Sequence, residues 1–157
     1  MLLWPVRKDL ALLAAFFGLV STAVFAVAEL FYFGSTLVLG GAEYLNSFSA
    51  DQRNSLGMLS LSMYGLGGSI FMVFYGIASG VRGYLIYRSG FLPGALGVLL
   101  MLGGLGFITR NFVIVLAPAY ASDFYLLPMF VAALSLTGWM LVKGVDVEKW
   151  EAKAAVG

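Results

Sequence analysis

The chain has 157 residues, of which 61% are hydrophobic and only 11% are charged, and its formal net charge is +1. An ordinary soluble domain carries roughly 25% charged residues, so this composition excludes a water-soluble globule. The sequence contains no cysteine and no histidine, which excludes disulfides, thiol nucleophiles, histidine-based metal or haem sites and Ser-His catalysis. It also has no nucleotide-binding glycine motif and no long basic run, so nucleic acid is not an expected partner.

Long uncharged runs indicate membrane-spanning helices, because each run reaches the roughly 18 residues that a bilayer span requires. The runs cover residues 10–28, 54–81, 89–109 and 124–142. With their flanking residues they predict an all-α integral membrane bundle of four transmembrane helices, at approximately 9–39, 50–88, 92–116 and 124–143. These helices are expected to form one domain over residues 1–144, followed by a charged cytoplasmic tail over residues 145–157.

Small residues in the first two helices predict packing faces. Gly40 and Gly41 are expected to stop the first helix. In the second helix, Gly76 and Gly80 form a GxxxG pair, which is typical of close helix packing. The first helix has a ladder of small residues at a spacing of four, which is expected to pack against a second copy or another membrane protein. The ladder consists of Ala14, Gly18, Thr22 and Ala26.

The first helix also imitates a secretory signal peptide. Arg7 and Lys8 precede an apolar run, and residues 26–28 read Ala-Val-Ala, as at a cleavage site. However, the apolar pattern continues to Leu39, and the apolar core of a signal peptide has only about 7 to 15 residues. The sequence therefore favours a retained first helix over a cleaved one.

The other helix ends carry local signals. Ser49 and Gln52 have the spacing of a capping box at the start of the second helix. Gly90 predicts a C-terminal cap of that helix. Three prolines predict, in order, the start of the third helix, its end and the first turn of the fourth: Pro93, Pro118 and Pro128.

Positive charge is concentrated on one side of the predicted membrane. Seven of the nine Lys and Arg residues fall on the side of both termini, and only Arg53 and Arg110 fall on the other side. The positive-inside rule therefore predicts that both termini are cytoplasmic. Charged and aromatic residues near the end of the second helix are expected to be interface anchors, with an anionic lipid headgroup site as the alternative. They are Arg82, Tyr84, Tyr87 and Arg88.

Two charges interrupt the apolar segments, Glu29 in the first helix and Arg110 in the third. At about 1.5 Å per residue they reach nearly the same height in the outer half of the membrane. A lone charge at mid-bilayer costs about 2.5 to 3.5 kcal/mol, so an intramembrane ion pair is predicted, with Asn111 and Tyr32 completing the hydrogen bonds. The alternative is that each charge reaches interfacial water by itself.

Six short motifs extend over nearly the whole chain, and GYLIYRSGFLP at residues 83–93 is the most specific of them. The others are LALLAAFF at 10–17, GVLL at 97–100, GGLG at 103–106, LAP at 116–118 and LVKGV at 141–145. On these motifs the chain resembles a bacterial family, domain of unknown function 4386.

The resemblance implies a multipass membrane protein without an established activity, and the chain is similar to the last four of about six family helices. Some relatives carry a histidine just before the GYLIYRSG block, where this chain has Ala78. They also carry a glutamate in the last helix, near the position of Ala133.

These features favour a non-enzymatic, multi-pass protein of the bacterial cytoplasmic membrane. The primary interpretation is a helical scaffold or interaction protein, since that role requires only packing faces, anchors and topology. The alternative is a small oligomeric transporter or channel that uses Glu29. The expected partners are the lipid bilayer and either a second copy or another membrane protein, and no cofactor, metal or catalytic residue is expected.

Overall fold

The structure is a computed structural model that describes residues 2–41 and 43–155. The described residues form helices and no strand, which confirms the predicted all-α class. The first residue of the predicted domain and the last two residues of the predicted tail lie outside the described residues. The helices are α1 (Lys8–Leu39), α2 (Ala50–Ser89), α3 (Gly94–Leu116), α4 (Leu127–Val142) and α5 (Val147–Ala154).

Four helical segments are long and apolar enough to cross a membrane: α1, α2, α3 and Asp123–Val142, which includes α4. They have 32, 40, 23 and 20 residues. At about 1.5 Å per residue, α3 and the last segment are close to the thickness of a hydrocarbon core of about 30 Å, whereas α1 and α2 exceed it by more than about 15 Å. Large apolar side chains on these segments are exposed, and Leu141 and Val142 are each 82% exposed. Such a surface is unusual for a soluble monomer and compatible with lipid acyl chains, as in a membrane protein.

The local signals at the ends of α1 and α2 are confirmed. In the capping box, the backbone N–H of Ser49 donates to Oε1 of Gln52 (2.9 Å), and the N–H of Gln52 donates to Oγ of Ser49 (3.2 Å). Helix α1 ends at Leu39, shortly before Gly41 with a φ of +72°, and Gly90 after α2 has a φ of +76°. Glycine is favoured at both positions, because its lack of a Cβ permits a positive φ.

The chain divides into two compact units. Of the described residues, unit one contains 2–19 and 72–155, and unit two contains 20–41 and 43–71. Each unit therefore includes part of α1 and part of α2.

Aromatic contacts stabilise unit two. The ring centroids of Phe25 and Phe71 are 4.9 Å apart, and those of Tyr32 and Tyr64 are 5.4 Å apart. Between these contacts, a Cβ added to Gly67 would lie only 2.5 Å from the Cβ of Ala28. The first half of α2 thus packs closely along the second half of α1.

In unit one, α2 and α3 contact each other through glycine backbones. A Cβ added to Gly97 would lie 2.5 Å from the carbonyl oxygen of Gly83, and one added to Gly83 would lie 2.6 Å from the carbonyl oxygen of Gly97. A second contact lies seven residues away on each helix, where a Cβ added to Gly76 of α2 would lie 2.7 Å from the carbonyl oxygen of Gly104 of α3. Small residues permit such close approach, which is a common packing mode of membrane helices.

Helix α4 packs on α3 in the same unit. A Cβ added to Gly103 would lie 2.7 Å from the Cα of Met129, whose side chain is 5% exposed. Buried apolar residues from the end of α2, the following loop, α3 and α4 form the core of unit one. They are Ile86, Phe91, Leu92, Leu96, Leu100, Met129 and Ala132.

Helix α5 lies within the segment that was predicted only as a charged tail. Asp146 caps this helix, because its Oδ1 accepts a hydrogen bond from the backbone N–H of Lys149 (3.2 Å). Its Oδ2 lies 2.8 Å from Nζ of Lys149, and this side-chain contact lowers the pKa of Asp146 and raises the pKa of Lys149. An N-cap aspartate followed by helix-compatible residues is a signal that the sequence contains.

Two side chains of α5 bind backbone oxygens of unit one. Nε1 of Trp150 donates to the carbonyl oxygen of Leu2 (2.9 Å). Nζ of Lys153 donates to the carbonyl oxygens of Arg88 (2.7 Å) and Ser89 (3.1 Å) at the end of α2. The last carbonyls of a helix have no partner within the helix, so the ammonium group stabilises this terminus. Helix α5 therefore connects the N-terminal segment to the end of α2.

The contact between α2 and α3 predicts the effect of one added methyl group. Gly97→Ala places a Cβ against the α2 backbone, so we expect overpacking to lower the free energy of unfolding by about 1 to 3 kcal/mol. Gly80→Ala is the matched control, because a Cβ at Gly80 meets no described atom within 4 Å and alanine favours helices. Thermal unfolding in mild detergent measures both variants, and equal melting temperatures would contradict the close contact.

Candidate functional site

A cavity of about 330 Å³ lies in unit one. We name it the Arg82 cavity, because Arg82 of α2 is the charged side chain among the described residues that line it. The N-terminal segment and the first four helices all contribute to its wall, and most of that wall is apolar. Its wall includes Leu2, Ala14, Ala15, Leu85, Leu100 and Leu136. Its volume is near the lower end of the range of about 300 to 1,000 Å³ for small-molecule sites.

The side chain of Arg82 extends across to α1. Its Nη2 donates to the carbonyl oxygen of Ala14 over 3.5 Å. The same Nη2 lies against Gly18, in the space that a Cβ at this position would occupy. Because Gly18 has no side chain, the guanidinium can lie directly on the α1 backbone.

No acidic side chain neutralises Arg82 within the described part of the chain. The ion pairs of that part are Arg7–Asp9, Arg110–Asp123 and Asp146–Lys149. Arg82 is half-buried, and an arginine within a membrane span is costly unless it reaches water or a partner. Its long bond to Ala14 uses one N–H donor, and the guanidinium has several more.

The other predicted anchors have a different environment from Arg82. Tyr84 is 39% exposed and Tyr87 is 56% exposed, and the Arg88 side chain is exposed as well. These exposures are compatible with side chains that contact a membrane interface, which stays a prediction. Arg82 differs because its guanidinium packs inside unit one.

The structure separates the members of the predicted small-residue ladder on α1. Ala14 and Gly18 are buried by this chain, whereas Thr22 and Ala26 are exposed. A step of four residues turns about 40° too far around the helix, so the ladder drifts off the buried face. The buried residues of α1 are Ala11, Ala14, Gly18, Ser21, Ala28 and Ser35. One face for all four ladder residues therefore does not describe the packing within the chain, and a partner at Thr22 and Ala26 stays a prediction.

Arg110 has an ion-pair partner that the sequence analysis did not name. Its Nε and Nη2 both donate to Oδ1 of Asp123, over 3.0 and 2.7 Å. The Arg110 side chain is 20% exposed and the Asp123 side chain is 80% exposed. The pair therefore joins a mostly buried guanidinium to an exposed carboxylate. Asn111, which was expected to assist Glu29 and Arg110, donates from Nδ2 to the carbonyl oxygen of Phe107 in its own helix (2.8 Å).

Glu29 is half-buried on the part of α1 that belongs to unit two. Within residues 20–41 and 43–71, its carboxylate makes no ion pair. A pair between Glu29 and Arg110 would join residues of the two units, and it stays a prediction.

The sequence contains a signal for two of these relations. Arg82 precedes Ser89, the last residue of α2, by seven residues, which is about 10 Å at 1.5 Å per residue. About two helical turns therefore separate Arg82 from the end of α2. Asp123 follows Arg110 on the same predicted side of the membrane, after a short loop, which makes it a nearer acidic partner than Glu29.

Comparison with protein families gives one match. The family model of domain of unknown function (DUF4386) matches residues 1–144. The matched range includes the four long helices and all lining residues of the Arg82 cavity, and it ends before α5. Comparisons with curated proteins and with solved structures found no match.

Two double-mutant cycles test the partner of Arg110. We expect Arg110→Gln and Asp123→Asn to be coupled by about 0.2 to 1 kcal/mol, the range of exposed ion pairs. Thermal unfolding in detergent measures this coupling. The second cycle combines Arg110→Gln with Glu29→Gln, and additive effects in it would contradict the predicted intramembrane pair.

Proposed function

The chain belongs to the DUF4386 family, and we propose that it is a helical scaffold or interaction protein of the bacterial inner membrane. The observation that carries this proposal is an exposed apolar ridge on α1. Its three members lie within about 60° of the helical circumference on the part of α1 that belongs to unit two, so they form one face. They are Leu30, Phe33 and Leu37, which are 68%, 60% and 58% exposed. In a membrane, such a ridge packs against lipid or against another helix. We propose that this ridge packs against a second copy of the chain.

We also propose that both termini are cytoplasmic. The hydrogen bond from Trp150 to the carbonyl oxygen of Leu2 supports termini on the same side. The hydrogen bonds from Lys153 to the end of α2 support a location of Lys153 and Arg88 on the same side of the membrane as the two termini. An excess of Lys and Arg is typical of cytoplasmic segments.

Cysteine cross-linking tests the ridge in native membranes, and the sequence has no cysteine of its own. Leu30→Cys is expected to give a disulfide-linked dimer after mild oxidation. Ala14→Cys is the matched control and should stay monomeric, because Ala14 is only 2% exposed. Gly18 is a poor probe of association, since any side chain there displaces Arg82 within the chain. Equal behaviour of the two cysteine variants would contradict the proposed interface.

A second candidate function is transport or conduction that uses Glu29. The supporting observation is its half-buried carboxylate in a span-length helix, a position where ionisable groups often serve a pathway. Proteoliposomes with a proton gradient test this candidate by the rate at which the gradient decays. If Glu29 carries protons, Glu29→Gln should abolish the flux, and Glu43→Gln in the exposed turn before α2 should retain it. Equal flux in both variants and in empty liposomes would exclude this function.

A further inference from the structure

The Arg82 cavity combines a cation with a largely apolar wall. None of the ion pairs in the described part of the chain includes Arg82, and no described acidic residue lines the cavity. We propose that this cavity binds a long-chain carboxylate. The carboxylate pairs with the Arg82 guanidinium, and the hydrocarbon chain lies among the apolar side chains.

The apolar part of the cavity suits a single hydrocarbon chain. Leu85, Leu100 and Leu136 come from three helices and line the same space. A volume of about 330 Å³ is small for a ligand site, so it favours a ligand with one chain over a lipid with two. Burial of the chain between leucine side chains contributes dispersion contacts, and the charge then decides which single-chain ligand binds.

The guanidinium suits a carboxylate head. Its planar N–H donors match the two oxygens of a carboxylate in a bidentate pair. The bond to Ala14, at 3.5 Å, is longer than typical N–H···O hydrogen bonds of about 2.7 to 3.2 Å. A bound carboxylate replaces this weak bond with shorter charge-assisted bonds and neutralises the cation. Gly18 keeps space on α1 for the guanidinium during this pairing.

Arg82 lies away from the ends of the two helices that it contacts. Arg82 lies about 10 Å before the end of α2, counted at 1.5 Å per residue. Its guanidinium lies against Gly18, ten residues after Lys8, the first residue of α1. A charged head of either kind avoids hydrocarbon, so this depth does not separate a carboxylate from a phosphate. The cavity volume of about 330 Å³ does, because it suits one hydrocarbon chain better than the two chains of a phospholipid.

Binding of radiolabelled oleate to the full chain tests the proposal. The protein is placed in phosphatidylcholine nanodiscs, and saturable binding of one oleate per chain is expected. Oleyl alcohol has the same hydrocarbon chain without the charge, so it should compete at least about tenfold more weakly. Phosphatidylglycerol added to the nanodiscs should leave oleate binding unchanged.

Three variants locate the binding site. Arg82→Gln should weaken oleate binding by about tenfold or more, because it removes the charge-assisted pair. Arg88→Gln is the matched control, an exposed arginine near the end of the same helix, and it should change the affinity less than about twofold. Ala15→Phe keeps Arg82 and fills the cavity, so it should also reduce binding.

Melting temperatures without oleate show whether each variant is folded. If Arg82→Gln does not fold, Arg82→Lys replaces it, and the loss of the planar fork should still weaken binding several-fold. Equal oleate affinity of the native chain and the Arg82 variant would overturn the proposal. So would equal competition by oleyl alcohol, or displacement of oleate by phosphatidylglycerol, which would identify a phospholipid site instead.

Discussion

The backbone contact between α2 and α3 determines how unit one is arranged. Lipid chains are as apolar as leucine, so burial of apolar surface does not by itself hold two helices together in a membrane, and close packing has to do so. At Gly83 and Gly97 the two backbones touch, which leaves no room for a side chain between them. Successive residues on a helix are about 100° apart, so a helix that turns Gly83 towards α3 turns Arg82 away from it. The arginine therefore points to α1 because its neighbour is needed at the α3 contact.

The start of α1 accommodates this arginine with small residues. Gly18 provides the space, and the carbonyl oxygen of Ala14 provides an acceptor. Beside the guanidinium, the small side chains of Ala14 and Ala15 leave unfilled volume, and this volume is part of the Arg82 cavity. One feature of α1, its lack of bulk at these positions, thus explains both how the cation is tolerated and why a cavity adjoins it.

The features that the sequence predicted well depend on residues close together in the chain. The capping box of Ser49 and Gln52, and the glycine ends at Gly41 and Gly90, involve only a few neighbouring residues. The span-length helices follow from runs of apolar residues, since a bilayer imposes both their length and their composition. Local chemistry and the membrane together therefore determine the helices and their ends.

The features that the sequence did not predict depend on rotation and on contacts between distant segments. The small-residue ladder had the right residue types, but a spacing of four drifts by about 40° per step around a helix, and within the chain only its first two members are buried. A contact of Thr22 and Ala26 with a partner stays a prediction. The contact of Arg82 with Gly18 joins positions far apart in the chain, and no spacing rule relates them. For Arg110, similar depth suggested Glu29, yet depth leaves the position around the bundle open. The partner that the structure shows is Asp123, and a pair with Glu29 stays a prediction.

Helix α5 shows how an element outside the family match can act on the matched part. The match ends at residue 144, and α5 begins at Val147. The groups that α5 binds are carbonyl oxygens of Leu2, Arg88 and Ser89, and every residue of any chain supplies such an oxygen. Its attachment therefore requires no particular side chain in residues 1–144. Because Leu2 also lines the Arg82 cavity, the bond from Trp150 holds part of the cavity wall in place. A short amphipathic helix can thus stabilise this end of unit one without any change in the residues that form the cavity.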